Sequence, residues 1–349
     1  MSAPTGAHPV AAVQADWRAA LDDVAALLER PAGPVVLAAH VAPDGDALGS
    51  VLAVARALRQ VGVEALVSWG EEPLEVPRSL GALLALDPAL AAALTPPSRL
   101  PEHVGVLACF DLASRGRLGL LSPLVDTAEA VVAVDHHTSH VPFAHVTALD
   151  PAAPATAVLA AELVERLSVP LDAVLAGCLW VGLVTDTGSF RHPSTTPAAL
   201  RLAARLLDAG AEGARLSRAV LEEVPGALLP VLGEAVAGAR LEPGALGGAG
   251  LVLATVPRER RAAAGLAVEE LVPVLDVVRR AAEADVAACL LQQDDGAWRV
   301  SLRSRGPLDV SVAAVALGGG GHRMAAGTTL TGSEDEAVAA VRAALEALA

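Results

Sequence analysis

Four clusters of acidic and imidazole side chains follow directly on apolar runs in this 349-residue chain. The run Val35–Ala39 (VVLAA) leads into His40-Val41-Ala42-Pro43-Asp44-Gly45-Asp46 and then Ala47-Leu48-Gly49-Ser50. Asp111 follows Phe110, Asp135-His136-His137 follows the run Val131–Val134, and Asp186 comes just after Val174–Val184 (VLAGCLWVGLV). Carboxylates gathered in one apolar place lose hydration and repel one another, which is costly unless a cation neutralises them. Mixed with imidazoles, they suit Mn2+ best, with Mg2+, Co2+ or Fe2+ as alternatives. Singly, each piece has a plainer explanation: Pro-Asp-Gly-Asp is turn chemistry, and Asp111 or Asp186 would serve as a helix cap. Placed together at four ends of one sheet, they predict a divalent-metal centre.

The elements that must position these groups are short. Val35–Ala39, Ala65–Ser68, Val104–Phe110 and Val131–Val134 read as buried parallel strands. Helical patterns lie between them, notably Ala47–Gln60, so the expected fold is α/β with a parallel sheet covered on both faces. In such sheets ligands bind beyond the carboxyl ends of the strands. Helices are predicted over 155–167, 172–184 and 196–209, closing a first domain at 1–209 whose first dozen residues are unstructured. A helical connector, 210–235, leads to a smaller α+β domain, 236–349. That domain is read as a hairpin over 240–256, a helix over 268–283, two strands around Asp294-Asp295-Gly296 and a final helix from about 334 to 348.

Composition limits the partners. Lys, Asn, Ile and Tyr are absent, so any phosphate clamp must use Arg, His, hydroxyls or backbone N–H groups. The net charge of −15 and the lack of a basic stripe exclude a grip on long duplex nucleic acid, while cations and a few arginines still allow a small anion. Aromatics at 2% offer no stacking platform for long single strands. Cys109, Cys178 and Cys289 are far apart in apolar runs and give neither metal spacing nor a disulfide framework. No secretion signal is visible and the longest apolar stretch is too short for a bilayer, so a cytoplasmic protein away from membranes is expected.

In the second domain, the glycines at 318–321, with Gly319, Gly320 and Gly321 foremost, would let the backbone approach a phosphate. His322 beside them, and Arg303 and Ser304 at the end of a strand, could share that contact. Arg191 is a further candidate substrate contact, and Arg115 and Arg117 follow Asp111 closely.

The strings HVAPDGDALGS, Asp111 after its strand, the DHH at 135–137 and TDTGSF around Asp186 resemble the four motifs of the DHH phosphoesterases. SLRS, 301–304, and GGGGHRMAAG, 318–327, resemble the DHH-associated substrate-binding domain. The pairing is similar to oligoribonucleases of the NrnA type, which also act on 3′-phosphoadenosine 5′-phosphate. The resemblance implies two divalent cations in a cleft between the domains. His40 and Asp44 would bind one, Asp46, His136 and Asp186 the other, and Asp111 would bridge. It places His137 by the scissile phosphate and Asp135 behind an imidazole, the usual support for a metal-bound histidine. Two such cations activate a water and stabilise phosphoryl charge. The implied substrates are short RNA, small nucleotides and linear dinucleotides such as pApA, and the implied assembly is a homodimer. His140 stands where relatives often carry a polar residue such as Asn. Rival readings are a RecJ-like exonuclease, an inorganic pyrophosphatase of the same superfamily, or a catalytically silent nucleotide-binding regulator. The chain is short for the first, and the GGGGH loop argues against the second.

Overall fold

A computed structural model describes residues 16–349; the expectation for the first dozen residues lies outside them. The chain divides into two compact units, one running to Glu223 and one from Val224 to Ala349.

The first unit holds five strands: β1 (Val35–Ala38), β2 (Ala65–Ser68), β3 (Val106–Phe110), β4 (Ala130–Asp135) and β5 (Val146–Leu149). All pair in parallel in the order β2-β1-β3-β4-β5. Its helices are α1 (Trp17–Glu29), α2 (Gly45–Gln60), α3 (Gly81–Leu84), α4 (Pro88–Ala93), α5 (Leu124–Thr127), α6 (Thr156–Arg166), α7 (Ala173–Asp186), α8 (Pro197–Asp208) and α9 (Gly213–Leu221). Val35, Leu37, Val106, Ala108, Phe110, Val132 and Val134 pack on α1, α2, α6 and α7. The alternate residues Val36, Ala38, Leu107, Cys109, Val131 and Ala133 face a thinner cover of irregular and short helical segments, including Leu118 and Leu121. Two-sided burial explains why the strands read as unbroken apolar runs rather than alternating ones. Burying a residue such as Phe110 contributes roughly 1.5–3 kcal/mol.

The strand order reverses at β1, whose neighbours are β2 on one side and β3 on the other. Ala38 pairs with Cys109, and Phe110 with Val134. The carboxyl ends of β1, β3 and β4 are therefore level, and His40, Asp111 and Asp135 emerge side by side at this switch point, where open α/β sheets bind ligands.

α2 and α7 cross against each other at close range. A Cβ on Gly49 would come within 2.5 Å of the Cys178 carbonyl oxygen, and one on Gly182 within 2.8 Å of Asp46 Oδ1. Glycine is required at both points because helix backbone or a ligand side chain fills the space a methyl would take. The crossing sets the first turn of α2 beside the last turn of α7.

The second unit holds α10 (Leu228–Ala237), β6 (Arg240–Glu242), β7 (Leu251–Val256), α11 (Arg258–Ala263), α12 (Val272–Val278), β8 (Val286–Gln292), β9 (Trp298–Ser304), α13 (Val310–Ala316), β10 (Gly320–His322), β11 (Ala325–Leu330) and α14 (Glu334–Glu346). Its sheet runs β10-β11-β9-β8-β7-β6, and only β7 and β8 are parallel. α13 and α14 cover one face. α10 and α12 cover the other over β7 and β8. The segment 210–235 is shared: Leu216 of α9 belongs to the first core, while Leu228 and Val231 of α10 belong to the second. Among the described residues no helix is long and apolar enough to cross a membrane.

Candidate metal centre

His40 leaves β1 two residues past its end, and the chain turns through Ala42 at φ +51° into α2. Asp44 caps that helix, its Oδ1 accepting N–H bonds from Asp46 and Ala47 at 3.0 Å. Asp46 in the first turn is fully buried. Its carboxylate receives the N–H of Thr156 at 2.5 Å and of Ala157 at 2.8 Å, from the opening turn of α6. Ser50 Oγ lies 3.4 Å from the same carboxylate, the supporting contact of a hydroxyl rather than the setting of a nucleophile.

Asp111 is buried with φ +61°, a left-handed backbone that costs a non-glycine residue on the order of 1–3 kcal/mol. That turn aims its two oxygens at different partners. Oδ1 is 3.5 Å from His136 Nε2, and Oδ2 is 3.7 Å from His40 Nε2. His40 Nε2 is also 3.8 Å from Asp44 Oδ1, and His136 Nε2 is 3.2 Å from Asp186 Oδ2. Ligand atoms of His40, Asp44 and Asp111, and separately of Asp46, His136 and Asp186, converge within 4.8 Å, the closeness a bound ion requires. All six side chains expected from the motifs thus meet at one end of the sheet.

A third grouping, Asp111 with His136 and His137, is equally tight. His137, however, is engaged elsewhere: its Nδ1 lies 2.7 Å from Asp135 Oδ1.

The donor set fits divalent cations. His40 Nδ1 faces the Val41 carbonyl at 2.8 Å and His136 Nδ1 the Ala153 carbonyl at 3.1 Å. A proton on His136 Nδ1 leaves its Nε2 to the cluster, as metal-bound imidazoles are ordinarily arranged. His40 Nδ1 also faces the Arg117 guanidinium at 2.8 Å, so the Val41 carbonyl and Arg117 make opposite demands on that nitrogen. Two of the carboxylates are electrostatically unsatisfied by themselves, whereas Asp44, although desolvation works the other way, is held down to about 2 by His40 and the N–H groups that open α2. Burial, then the charges of Asp111 and Asp186, pushes Asp46 well above the carboxylate range. Burial, then Asp44 and Asp186, pushes Asp111 to about 7. His136 goes to about 10: burial opposes its charge, but the hydrogen bond to Asp186 and the charges of Asp46 and Asp111 overcome it. An anionic pocket that draws a proton so strongly is one that a divalent cation would neutralise.

Two expectations need correction. Asp186 does not leave a strand: it is the last residue of α7, brought to the cluster by the α2–α7 crossing. Asp135 does stand behind imidazoles, but not behind a metal-bound one: the ring of the ligand histidine His136 bonds Ala153. Its side chain binds the rings of His137 and His140, and its Oδ1 also takes the N–H of His136 and His137. Those imidazole bonds hold its carboxyl below the usual range although burial acts the other way.

Among the other participants, Thr156 and His192 carry no signal of type or spacing, and Arg117 is marked in the sequence only by following Asp111. Thr156 Oγ1 donates to Asp111 Oδ1 at 2.9 Å while its N–H serves Asp46. His192 Nδ1 lies 2.9 Å from the Asp186 carbonyl. Arg117 Nη2 lies 2.8 Å from His40 Nδ1. Arg115 instead pairs with Asp126, and exposed Arg191 donates Nε–H to the Gly188 carbonyl at 2.6 Å.

In the second unit, strand register decides which candidates share a face. Ala287, Arg303, Ala325 and His322 lie in one row across β8, β9, β11 and β10. Arg303 and His322, two strands apart, are separated by about 10 Å of sheet. Ser301, with Gly327 and Gly320, forms the next row of this face. Ser304 points to the opposite face, where it is buried and accepts the Gly306 N–H at 3.3 Å. Period-two alternation therefore puts Ser301, not Ser304, beside Arg303. The glycine run is no free phosphate loop either. The N–H of Gly318 and Gly319 close α13 through the carbonyls of Val315 and Ala314, and a Cβ on Gly319 would strike the Gly327 carbonyl oxygen.

A parallel sheet with this acidic and imidazole cluster at its switch point, followed by a mixed-sheet unit, defines a family. Residues 34–183 match the DHH family, N-terminal domain, and residues 254–348 match the DHHA1 domain; the chain belongs to the DHH family. It is 34% identical over 309 residues to the bifunctional oligoribonuclease and PAP phosphatase NrnA of Thermus thermophilus, with 88% of each chain covered. Among solved structures it is similar to an exopolyphosphatase-related protein from Bacteroides fragilis, with a TM-score of 0.82 at 22% identity over 95% of this chain and 96% of that one. RecJ from Thermus thermophilus in complex with Mn2+ gives a TM-score of 0.56 at 17% identity over 97% of this chain and 55% of that one. Both structural likenesses show the shared fold.

Proposed function

We propose that this chain is a two-metal phosphoesterase. Its substrates are short oligoribonucleotides, cut to mononucleotides, and 3′-phosphoadenosine 5′-phosphate, cut to AMP and phosphate; linear dinucleotides such as pApA fit the same chemistry. The NrnA relative, named for both activities, supports the substrate class. The observation that carries the reaction class is Asp111, whose two oxygens face His40 and His136 separately.

His40, Asp44 and Asp111 would hold one cation, and Asp46, Asp111, His136 and Asp186 the other, with Mn2+ the best match to mixed carboxylate and imidazole donors. When bound, such cations lower the pKa of an attacking water and offset charge on the phosphoryl oxygens. His137 handles a proton. Burial works against its charged form, but the Asp135 hydrogen bond and the Asp111 charge hold it above its ordinary value. With Nδ1–H held by Asp135, Nε2 is the nitrogen that donates to a phosphoryl or leaving-group oxygen. Arg303 and His322 recognise a substrate phosphate from the second unit, by charge and hydrogen bonding. The reading places the enzyme in the cytoplasm, where short RNA fragments arise.

Product release from a short oligoribonucleotide, 3′-phosphoadenosine 5′-phosphate and pApA, measured side by side with Mn2+ in wild type and Asp111→Ala, tests this. Turnover in the wild type should fall about a thousandfold or more in the variant, the equivalent of several kcal/mol of lost charge stabilisation. Tight nucleotide binding without turnover in the wild type, or full metal content with undiminished turnover in the variant, overturns it.

A further inference from the structure

His140 is none of the residues assigned above, yet its side chain is wholly buried against the site. Nδ1 donates to Asp135 Oδ2 at 2.6 Å, and the ring stacks on Phe143 with centroids 5.8 Å apart. Its Nε2 is buried with no hydrogen-bond partner among the described residues. A buried imidazole with one nitrogen unsatisfied is a costly way to fill space, and an aliphatic side chain would fill it better. What only a polar residue supplies here is the donor to Asp135.

That donor completes a clamp. Asp135 Oδ1 accepts the N–H of His136 at 2.8 Å, the N–H of His137 at 3.3 Å and the His137 ring at 2.7 Å. Oδ2 is held by His140. A carboxylate turns readily about its last bond, whose torsional profile is broad; occupying both oxygens from opposite sides stops that rotation. The same turn carries both imidazoles, since the His140 N–H closes on the His137 carbonyl at 3.2 Å.

We propose that His140 is a positioning residue: it locks the Asp135 carboxylate, which keeps a proton on Nδ1 of His137 and leaves Nε2 as the nitrogen whose proton is exchanged. The catalytic part of this inference rests on the proton-handling role proposed for His137. The positional part does not. Misplacing a reacting group by about 1 Å can cost a hundredfold in rate, so the clamp bears on kcat rather than on substrate affinity.

Asn places an amide where His Nδ1 stands, and Gln places it where Nε2 stands. The pair His140→Asn and His140→Gln therefore moves the donor while keeping polarity. In the Mg2+-loaded protein, NMR of nitrogen-labelled histidines should show His137 protonated at Nδ1 in wild type and His140→Asn, and released from that single state in His140→Gln. With Mn2+, kcat should stay within about threefold of wild type for Asn and fall about tenfold or more for Gln, at similar KM and equal metal content. If His140→Gln does not fold, His140→Ala takes its place. Equal kcat and equal His137 spectra in the two variants overturn the inference. A wild type that hydrolyses no phosphate ester removes the functional reading, and the spectra alone then decide the clamp.

Discussion

The backbone N–H of Thr156 donates to Asp46 Oδ2 at 2.5 Å, joining the first turn of α6 to the first turn of α2 inside the metal cluster. The hydroxyl of the same residue reaches Asp111, so one threonine fixes two carboxylates, one in the first turn of α2 and one just past β3.

Thr156→Val keeps the N–H and the side-chain shape and removes only the hydroxyl. The Mn2+ concentration needed for half-activation should rise about 10–100-fold, the usual cost of losing a group that orients a ligand, and kcat should recover at saturating metal. Thr156→Ser should behave as wild type. Unchanged metal activation in the valine variant would show that the hydroxyl does not orient Asp111.

Gly182→Ala tests the helix crossing. Alanine improves helix propensity by about 1 kcal/mol, but the new methyl would sit 2.8 Å from Asp46 Oδ1 and 2.7 Å from the Ala157 Cβ. Both neighbours are held in place, so overpacking of roughly 1–3 kcal/mol wins. Thermal unfolding should show a lower Tm, and calorimetric titration a weaker second metal site.

Metal removal should destabilise the protein more as pH rises. Asp111 at about 7 and His136 at about 10 both lie above their ordinary values of 3.8 and 6.5. Between each pair of values the folded chain binds more protons than the unfolded chain, so metal-free stability falls as pH increases. Cation binding strengthens over the same range because its ligands must lose protons. Melting scans from pH 5 to 9, with chelator and with Mg2+, should diverge steadily; parallel curves would contradict the assignment.

On the second unit, Arg303→Ala and His322→Ala should raise KM about tenfold or more, with metal content intact. Ser301→Ala should affect KM more than Ser304→Ala, whose effect should appear in Tm because the Gly306 N–H loses its acceptor. The reverse ranking of the two serines would refute the face assignment.

Much of the centre was legible because strand ends leave a simple trace: an apolar run, then a polar ligand. His40, Asp111 and the DHH segment have that form. Asp186 has it too, and the helix expected over 172–184 is α7, which runs on to that residue; only grouping Asp186 with the strand ends misplaced it. Ser301 and Ser304 differ only in parity, which register settles and composition does not. Thr156 and His192 act through proximity created by folding. The glycine run combines positive φ at Gly318 and Gly321 with close strand approach at Gly319, demands that look identical to a phosphate loop in one dimension.

Asp46 and Asp186 sit at helix ends of opposite polarity. The amino terminus of α6 gives two N–H donors to the Asp46 carboxylate, whereas Asp186 closes α7 at the end that presents carbonyls rather than N–H groups. One carboxylate of the pair is therefore held by backbone N–H groups, and the other leans on the His136 ring.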